Sequence, residues 1–547
     1  MNTRVLSGSM KFILIALLII NSCNLSAYPG EVLKSFDLPG KYCTGMTFDG
    51  TNIWVADRKT DLIYCVDPET GKIIRSLQSP GYWPLAMTWD GTSLWNADLK
   101  GGKDISEDYD GIIYRIDPSD GHILQTLEAP SNSPVGLAWD GKYLWCIDNL
   151  SDEIIQFSPL DGTTISSFRS PAQNSSGLAF DGKYLWVCDR GRNEIYLVDP
   201  ADGHVILITN SPGPYPTGLC FDGTHIWNID YQDDKLYQLV YRDEDKFLKS
   251  NERNAKVIYT QQIKNFGPGV VTTADFYIAI PGKRDNQEII GKQAFNIKPF
   301  DFVTDRWGQQ TAHFYFENIN AGETKTVEMT TVAKTWDVRY FILPDMVGGI
   351  DQVPVEISNK YLEDNEKFQI YHPLIQKAVK QVVGEEKNPY RIMRNIYDYI
   401  NVNMYYEMTG GWNTAPTVLE RGNGSCSEYT FVFISMCRAA GIPARYAGSV
   451  VVRGGEDASM DDVFHRWAEV YLPGYGWIPV DPSRGDADWP RDRASAIGSV
   501  SGSLLITTQS GGGSETLGWT YNSNQFYTTE PKTYVNFENF ADWELVP

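Results

Sequence analysis

The chain is poor in cysteine, histidine and positive charge, and it has almost no long apolar run. Its 547 residues include eight cysteines, at 23, 43, 65, 146, 188, 220, 426 and 437. Their spacing gives neither a compact disulfide framework nor a metal-ligand pairing. Cys146, Cys188 and Cys220 fall in repeated strand patterns where neighbouring repeats place other apolar residues. Cys437 follows Cys426 by 11 residues, about three helical turns, and reads as core of the same helix. A Cys43–Cys65 disulfide is an alternative that no spacing supports. Lysine and arginine number 47 against 69 acidic residues, for a net charge of −22. That surface repels phosphate backbones and excludes a nucleic-acid partner.

The single strong apolar run is Phe12 to Ile20, preceded by Lys11. Nine residues are too few to span a membrane. The pattern reads as an export signal over residues 1–27, complete even if Met10 is the start. Two processing routes stay open. Ile20-Asn21-Ser22-Cys23 resembles a bacterial lipobox, with Cys23 acylated, although Asn21 is unusual there. Ordinary cleavage after Leu25-Ser26-Ala27 is the other. Either route places the mature protein outside a bacterial cytoplasm, with a lipid anchor as its one means of membrane attachment.

What the chain does have is repetition. An Asp-Gly pair, a Trp four residues after the Gly and an Asp seven after it recur from Gly50, Gly91, Gly141, Gly182 and Gly223. The intervals are 41, 50, 41 and 41 residues, the long one holding an insertion near 101–108. Four short strand-like runs per unit suit a propeller blade, and a ring of blades buries faces that one blade cannot. Five units over 30–245 predict a five-bladed β-propeller, which resembles NHL-like and YncE-like propellers. The repeated Trp and Asp are read as structural, packing between blades and capping turns; a protein or glycan ligand on the ring is the alternative. Asp104, Glu107, Asp108 and Asp110 read as a solvated acidic loop, with Ca²⁺ binding as the second reading.

Alternating strands then fill about 250–350 and predict an immunoglobulin-like β-sandwich. His313 on one of them has no metal-spaced partner and reads as a core or face residue. Helical spacing begins near 360: Ile375, Ala378, Val379 and Val382 share one stripe between Tyr361 and Val383. Asn388-Pro389 starts another helix, striped by Ile392, Ile396 and Ile400.

The chemistry concentrates at Gly422-Asn423-Gly424-Ser425-Cys426-Ser427-Glu428. Ser425 and Glu428 predict a capping box, and the helix should stop at Gly441 before Pro443. A thiol in a first helical turn feels the positive end of the dipole, which favours thiolate. The plain alternative is a small buried hydrophobe. His465 follows on a strand-like run, and Asp481 ends the next. Cysteine, histidine and aspartate are what thiol catalysis requires: a nucleophile, a proton carrier and a group that orients it.

Gly-x-x-Cys on a helix, then GIPARYAGSV (441–450), then HRWAEVYLPGYGWIPVDPS (465–483) resembles the transglutaminase-like superfamily of papain-type cysteine enzymes. The resemblance covers roughly 360–490, and three separated motifs agree in order and spacing. It implies an α+β papain-like core over 358–490 with a Cys426–His465–Asp481 triad. The residues departing from the family pattern are Arg466, where many members have a small residue, and Ser425. The Cys426 backbone N–H is the first oxyanion donor expected, with Trp412 or Asn413 for the second. Residues 491–547 should form a C-terminal β-extension, adding strands to the core or a small sheet.

The implied activity is acyl transfer on peptide or protein amides through a thioester, with hydrolysis favoured slightly over cross-linking. True transglutaminase cross-linking of glutamine to amines is one alternative. A non-catalytic binding scaffold built on the propeller is another. The chemistry needs no cofactor and no metal, although calcium regulates access in some relatives.

Overall fold

The computed structural model describes residues 28–99, 111–242, 246–408, 411–453 and 458–546. The signal segment with Cys23, and Asp104, Glu107, Asp108 and Asp110, lie outside them.

The repeat motif folds the same way each time. Gly50, Gly91, Gly141, Gly182 and Gly223 take φ of +95° or +96°, left-handed backbone that side-chain-bearing residues avoid. The preceding Asp folds over this turn. In the first unit Asp49 Oδ1 accepts the N–H groups of Thr51 and Asn52, and Oδ2 accepts Trp54 Nε1 at 2.7 Å. The same indole bond forms at Trp95, Trp145, Trp186 and Trp227, at 2.8–3.0 Å. The second Asp caps the next turn: Asp189 Oδ1 accepts from Gly191 and Arg192, and Oδ2 from Asn174. The repeated Trp and Asp are therefore structural.

Twenty strands form five four-stranded antiparallel sheets, propeller-like in arrangement. Their first strands, starting at Cys43, Ala86, Pro134, Ser175 and Pro216, touch in sequence, and the last touches the first. One sheet joins the two ends of the repeat region: Val32–Asp37 pairs antiparallel with Lys235–Leu239. Closing the ring with a strand from the N-terminal side removes a sheet edge that would otherwise be exposed. Cys43 and Cys65 are both free thiols.

Two further sheets follow and share one apolar core. Phe247–Pro268 is the centre of the larger, flanked by Thr324–Tyr340 and Thr533–Leu545. Val271–Ala279 pairs with Gln310–Ile319 and Ser523–Thr529 in the smaller. The last 57 residues therefore divide: Leu504–Ser510 joins the sheet that carries His465–Leu472, whereas Ser523–Thr529 and Thr533–Leu545 complete the two middle sheets. Their own alternation gave them a strand form but no partner, because pairing is decided by residues some 260 positions away in the chain. His313 lies on the smaller sheet, held by Asp301 and Asp275 at 2.8 and 2.7 Å and stacked on Tyr277.

The remaining region packs helices on an antiparallel sheet in the order Gly476–Val480, His465–Leu472, Ala444–Val451, Leu504–Ser510. The helical stretch expected across Tyr361–Val383 is interrupted: Val355–Tyr361 and Pro373–Val383 are separate helices, the second begun by His372 and Pro373. Asn388 caps the next, Pro389–Asn403, by accepting from Tyr390 and Arg391. These helices surround Cys426–Ala439, which is buried from Ser427 through Arg438. A helix buried all round is a core helix, and its position is set from every side.

The propeller is bolted to this region. Glu194 receives Arg491 Nε at 2.6 Å and Nη2 at 2.5 Å. Arg391 pairs with Asp199 at 2.8 Å. His204 lies between Asp202 (2.9 Å) and Asp398 (3.1 Å). Burial works against the charge of His204, but the two carboxylates outweigh it and raise its pKa to about 9.

Candidate active site

The cysteine is delivered by a tightly fixed turn. Gly422, at φ +76°, ends the helix Ala415–Arg421 in left-handed backbone. Asn423–Gly424 then pairs in parallel with Tyr405–Tyr406. Ser425 is the N-cap residue and Cys426 the first of the helix; of the expected capping box the Glu428 half forms, while Ser425 Oγ has no hydrogen-bond partner among the described residues. The Glu428 half of that box does more than cap. Its carboxylate is fully buried; Oε2 accepts Ser425 N–H (3.2 Å) and Arg421 Nη2 (2.9 Å), and Oε1 accepts Asn413 N–H (3.0 Å) and Nδ2 (3.2 Å). Glu428 therefore ties the 411–414 loop to the head of the cysteine helix.

The histidine strand is anchored from the middle sheets. Ala458–Asp461 pairs with the C-terminal strand Thr533–Leu545. Buried Asp461 then gathers the approach to His465: Oδ1 accepts Phe464 N–H (3.0 Å) and Arg453 Nε (3.0 Å), and Oδ2 accepts Val451 N–H (2.8 Å). Phe464 sits at φ +59°, a left-handed conformation costing a side-chain-bearing residue about 1–2 kcal/mol. Trp412 has φ +54° across the site. Such strain persists where the surroundings over-determine the backbone, as Asp461 does here.

His465 Nε2 meets Asp481 Oδ2 at 2.7 Å. Asp481 Oδ1 accepts Ser483 Oγ (2.6 Å) and Ser483 N–H (3.2 Å). Trp467 stacks on His465 at 5.7 Å between ring centres. With Nε2 engaged, Nδ1 is the nitrogen left for the thiol. The fold thus brings Cys426, His465 and Asp481 together from three separate segments.

Their electrostatics favour an ion pair. Burial alone would raise the Cys426 thiol, but the hydrogen bond and charge of His465 and the Arg466 N–H bring it below its ordinary range. Burial likewise opposes the His465 charge, and Asp481 with Cys426 overrides it, raising the imidazole to about 10. Asp481 is held low against its own burial, chiefly by the His465 charge. A cavity of about 350 Å³ opens beside His465 and Asp481, bounded also by Arg453, Trp467 and Arg484.

Asn413 gives its backbone N–H and one Nδ2 hydrogen to Glu428. Trp412 stacks on Tyr521 at 6.1 Å and covers the Arg466 guanidinium. The Cys426 N–H lies against the Tyr406 hydroxyl. Sequence reasoning missed Tyr406, Asp461 and Ser483. Ser483 was the most accessible, since Asp-Pro-Ser after a strand is a turn signal whose Ser can bond the Asp. Tyr406 carried no local signal.

Residues 376–482 match the model of the transglutaminase-like superfamily, and 90–228 match that of the SMP-30/gluconolactonase/LRE-like region. The chain therefore carries a transglutaminase-like domain behind a propeller-like region. An uncharacterized protein of Haemophilus influenzae is 27% identical over 130 residues, 20% of this chain and 35% of that one. The uncharacterized protein YebA of Bacillus subtilis is 27% identical over 123 residues, 20% of this chain and 15% of that one. The chain thus spans well under half the length of either relative. Among solved structures, a candidate cysteine protease of Cytophaga hutchinsonii is similar at 16% identity and a TM-score of 0.39, covering 55% of this chain and all of that one.

Proposed function

We propose that this chain is an exported cysteine enzyme that transfers acyl groups from peptide or protein amides. The observation that supports it is the Cys426–His465–Asp481 arrangement at a helix N-terminus, with the thiol low and the imidazole high. The thiolate attacks the amide carbonyl carbon and a C–S bond forms. Negative charge collects on the carbonyl oxygen, where the Cys426 N–H serves as donor and Trp412 is the second donor proposed. Collapse breaks the C–N bond, and His465 gives its proton to the departing amine. Water then adds to the thioester, His465 takes its proton, and the acid leaves as the C–S bond breaks. Asp481 keeps the imidazole oriented throughout.

Hydrolysis is favoured slightly over cross-linking, and the cavity lined by His465 and Asp481 leaves room for water on that side of the base. Cross-linking requires an amine to take the place of that water. The N-terminal sheets are read as a five-bladed β-propeller that docks a protein or glycan, and the middle sheets as an immunoglobulin-like sandwich. Exposed Tyr82 and Trp83, with Arg58 over the Trp83 and Tyr231 rings, suit such docking. Export rests on the Phe12–Ile20 run, with Cys23 as the proposed lipidation site. Among the described residues no helix is long and apolar enough to cross a membrane.

Incubation with casein and a labelled primary amine, read by mass spectrometry, tests the reaction. New peptide termini dependent on Cys426 are expected. Amine incorporation without cleavage would replace hydrolysis with cross-linking, and neither product would contradict acyl transfer from protein amides.

A further inference from the structure

Two arginines are buried in the transglutaminase-like domain, and they are treated very differently. Arg438 is surrounded by carbonyls: Nε and Nη2 donate to Ala444 O, Nη2 also to Gly511 O, and Nη1 to Glu363 O, at 2.6–3.0 Å. It is a structural staple. Arg466 is fully buried, yet the one hydrogen bond of its guanidinium among the described residues runs from Nη2 to Trp519 O at 2.6 Å. Its Nε and Nη1 have no partner. No carboxylate is paired with it among the described residues, and the charges that bear on it are those of Tyr446, Tyr521 and Cys426. Four rings enclose the guanidinium instead: Tyr521 at 4.3 Å, Tyr446 at 4.6 Å, Trp412 at 4.8 Å and Phe431 at 5.1 Å.

Leaving a charge buried without a carboxylate and with two unmet donors is costly, and an apolar side chain of similar size would fill the space more cheaply. Ring faces recover part of that cost through cation–π attraction. What remains calls for an anion. Thr430 Oγ1 donates to both the Cys426 carbonyl (2.7 Å) and the Arg466 carbonyl (3.4 Å), which ties the arginine to the head of the cysteine helix. The Arg466 backbone N–H faces the sulfur and lowers its pKa, and the charge of the sulfur favours the protonated guanidinium. Phe431 belongs to the cysteine helix, and Tyr521 reaches Ser427, the residue after the thiol.

We propose that Arg466 is a positioning residue acting through Cys426: a fixed cation, insulated by aromatic rings, that holds the sulfur in its anionic form alongside His465. The proposal rests on Cys426 being the nucleophile. The other titratable or charged groups facing the pair are His465 and Asp481 from the strand side, Arg453 and Arg484 around the cavity beside them, Asp461 before the strand, Tyr406 from its short strand, Tyr446 from the sheet and Tyr521 from its loop. Burial holds all three tyrosines protonated through neutral pH. Arg466 is therefore a second source of positive charge beside His465; burial lowers its pKa from the ordinary guanidinium value, and the charges of Tyr446, Tyr521 and Cys426 oppose that.

The test is the pH dependence of Cys426 alkylation by iodoacetamide in the full chain, which needs no substrate. Arg466→Met should move the midpoint up by about one pH unit and slow alkylation about tenfold at pH 6. Arg466→Lys should restore most of the shift. Near-UV circular dichroism reports whether the variants keep native packing. If Arg466→Met does not fold, Arg466→Lys is compared with Arg466→Gln, which differ in charge but are both polar. A midpoint common to the charged and uncharged variants would overturn the proposal. A depressed midpoint without turnover on any amide would instead count against acyl transfer and leave the role of Arg466 standing.

Discussion

The cysteines of the propeller sheets and the cysteine at the head of the catalytic helix are the same side chain in opposite circumstances. Cys43, Cys65, Cys146, Cys188 and Cys220 are buried, and burial pushes each thiol up, that of Cys188 to about 12. Cys426 is also largely enclosed, yet its thiol is low. Accessibility separates them in part, since Cys426 is half-buried where the other described cysteines are buried, but burial opposes ionisation at Cys426 as well. Cys188 has Ser176 for company, and Cys43 faces the carboxylate of Asp57, which opposes ionisation. Cys426 faces an imidazolium, a backbone N–H and a helix N-terminus. Reactivity here is a matter of partners.

The largest test of that contrast is removal of the thiol. Cys426→Ser should abolish turnover, by about a thousandfold or more, and leave the unfolding midpoint in urea unchanged. The same change at Cys188 should leave turnover intact. Next comes the orienting carboxylate: Asp481→Asn should lower kcat by about 10²–10⁴-fold. It should also bring the alkaline limb of the pH–rate profile down from near 10, because Asp481 is what keeps His465 protonated that far.

A stability effect follows. Glu428→Gln removes a buried charge that serves Ser425, Asn413 and Arg421, and should cost about 1–3 kcal/mol in urea titration. The smallest effect belongs to the clasp at His204. Its folded pKa is raised, so its contribution is full below about pH 6.5 and fades as pH rises through about 9. His204→Gln should lower the thermal midpoint at pH 6 and match the parent chain at pH 10.

The two regions also differed in how much their sequences disclosed. The propeller-like sheets were legible because one turn is written five times, with Asp, Gly and Trp at fixed offsets. The joining of Val32–Asp37 to the last sheet was not, since a lone strand carries no trace of its partner. In the transglutaminase-like domain, order and spacing pointed to Cys426, His465 and Asp481, and local chemistry to the Ser425–Glu428 cap. Asp461 stayed hidden because its work depends on a sheet completed by the C-terminal strand. Arg466 was visible as a departure from the family pattern, but its cage draws on Trp412, Phe431, Tyr446 and Tyr521, which no local pattern connects.

The most direct measurement is native-state labelling with iodoacetamide at pH 6, read cysteine by cysteine in peptide mass spectra. The account predicts rapid modification of Cys426, no modification of Cys43, Cys146, Cys188, Cys220 or Cys437, and a sharp slowing at Cys426 in His465→Ala. Modification of a propeller cysteine first, or an unchanged rate at Cys426 without His465, would contradict it.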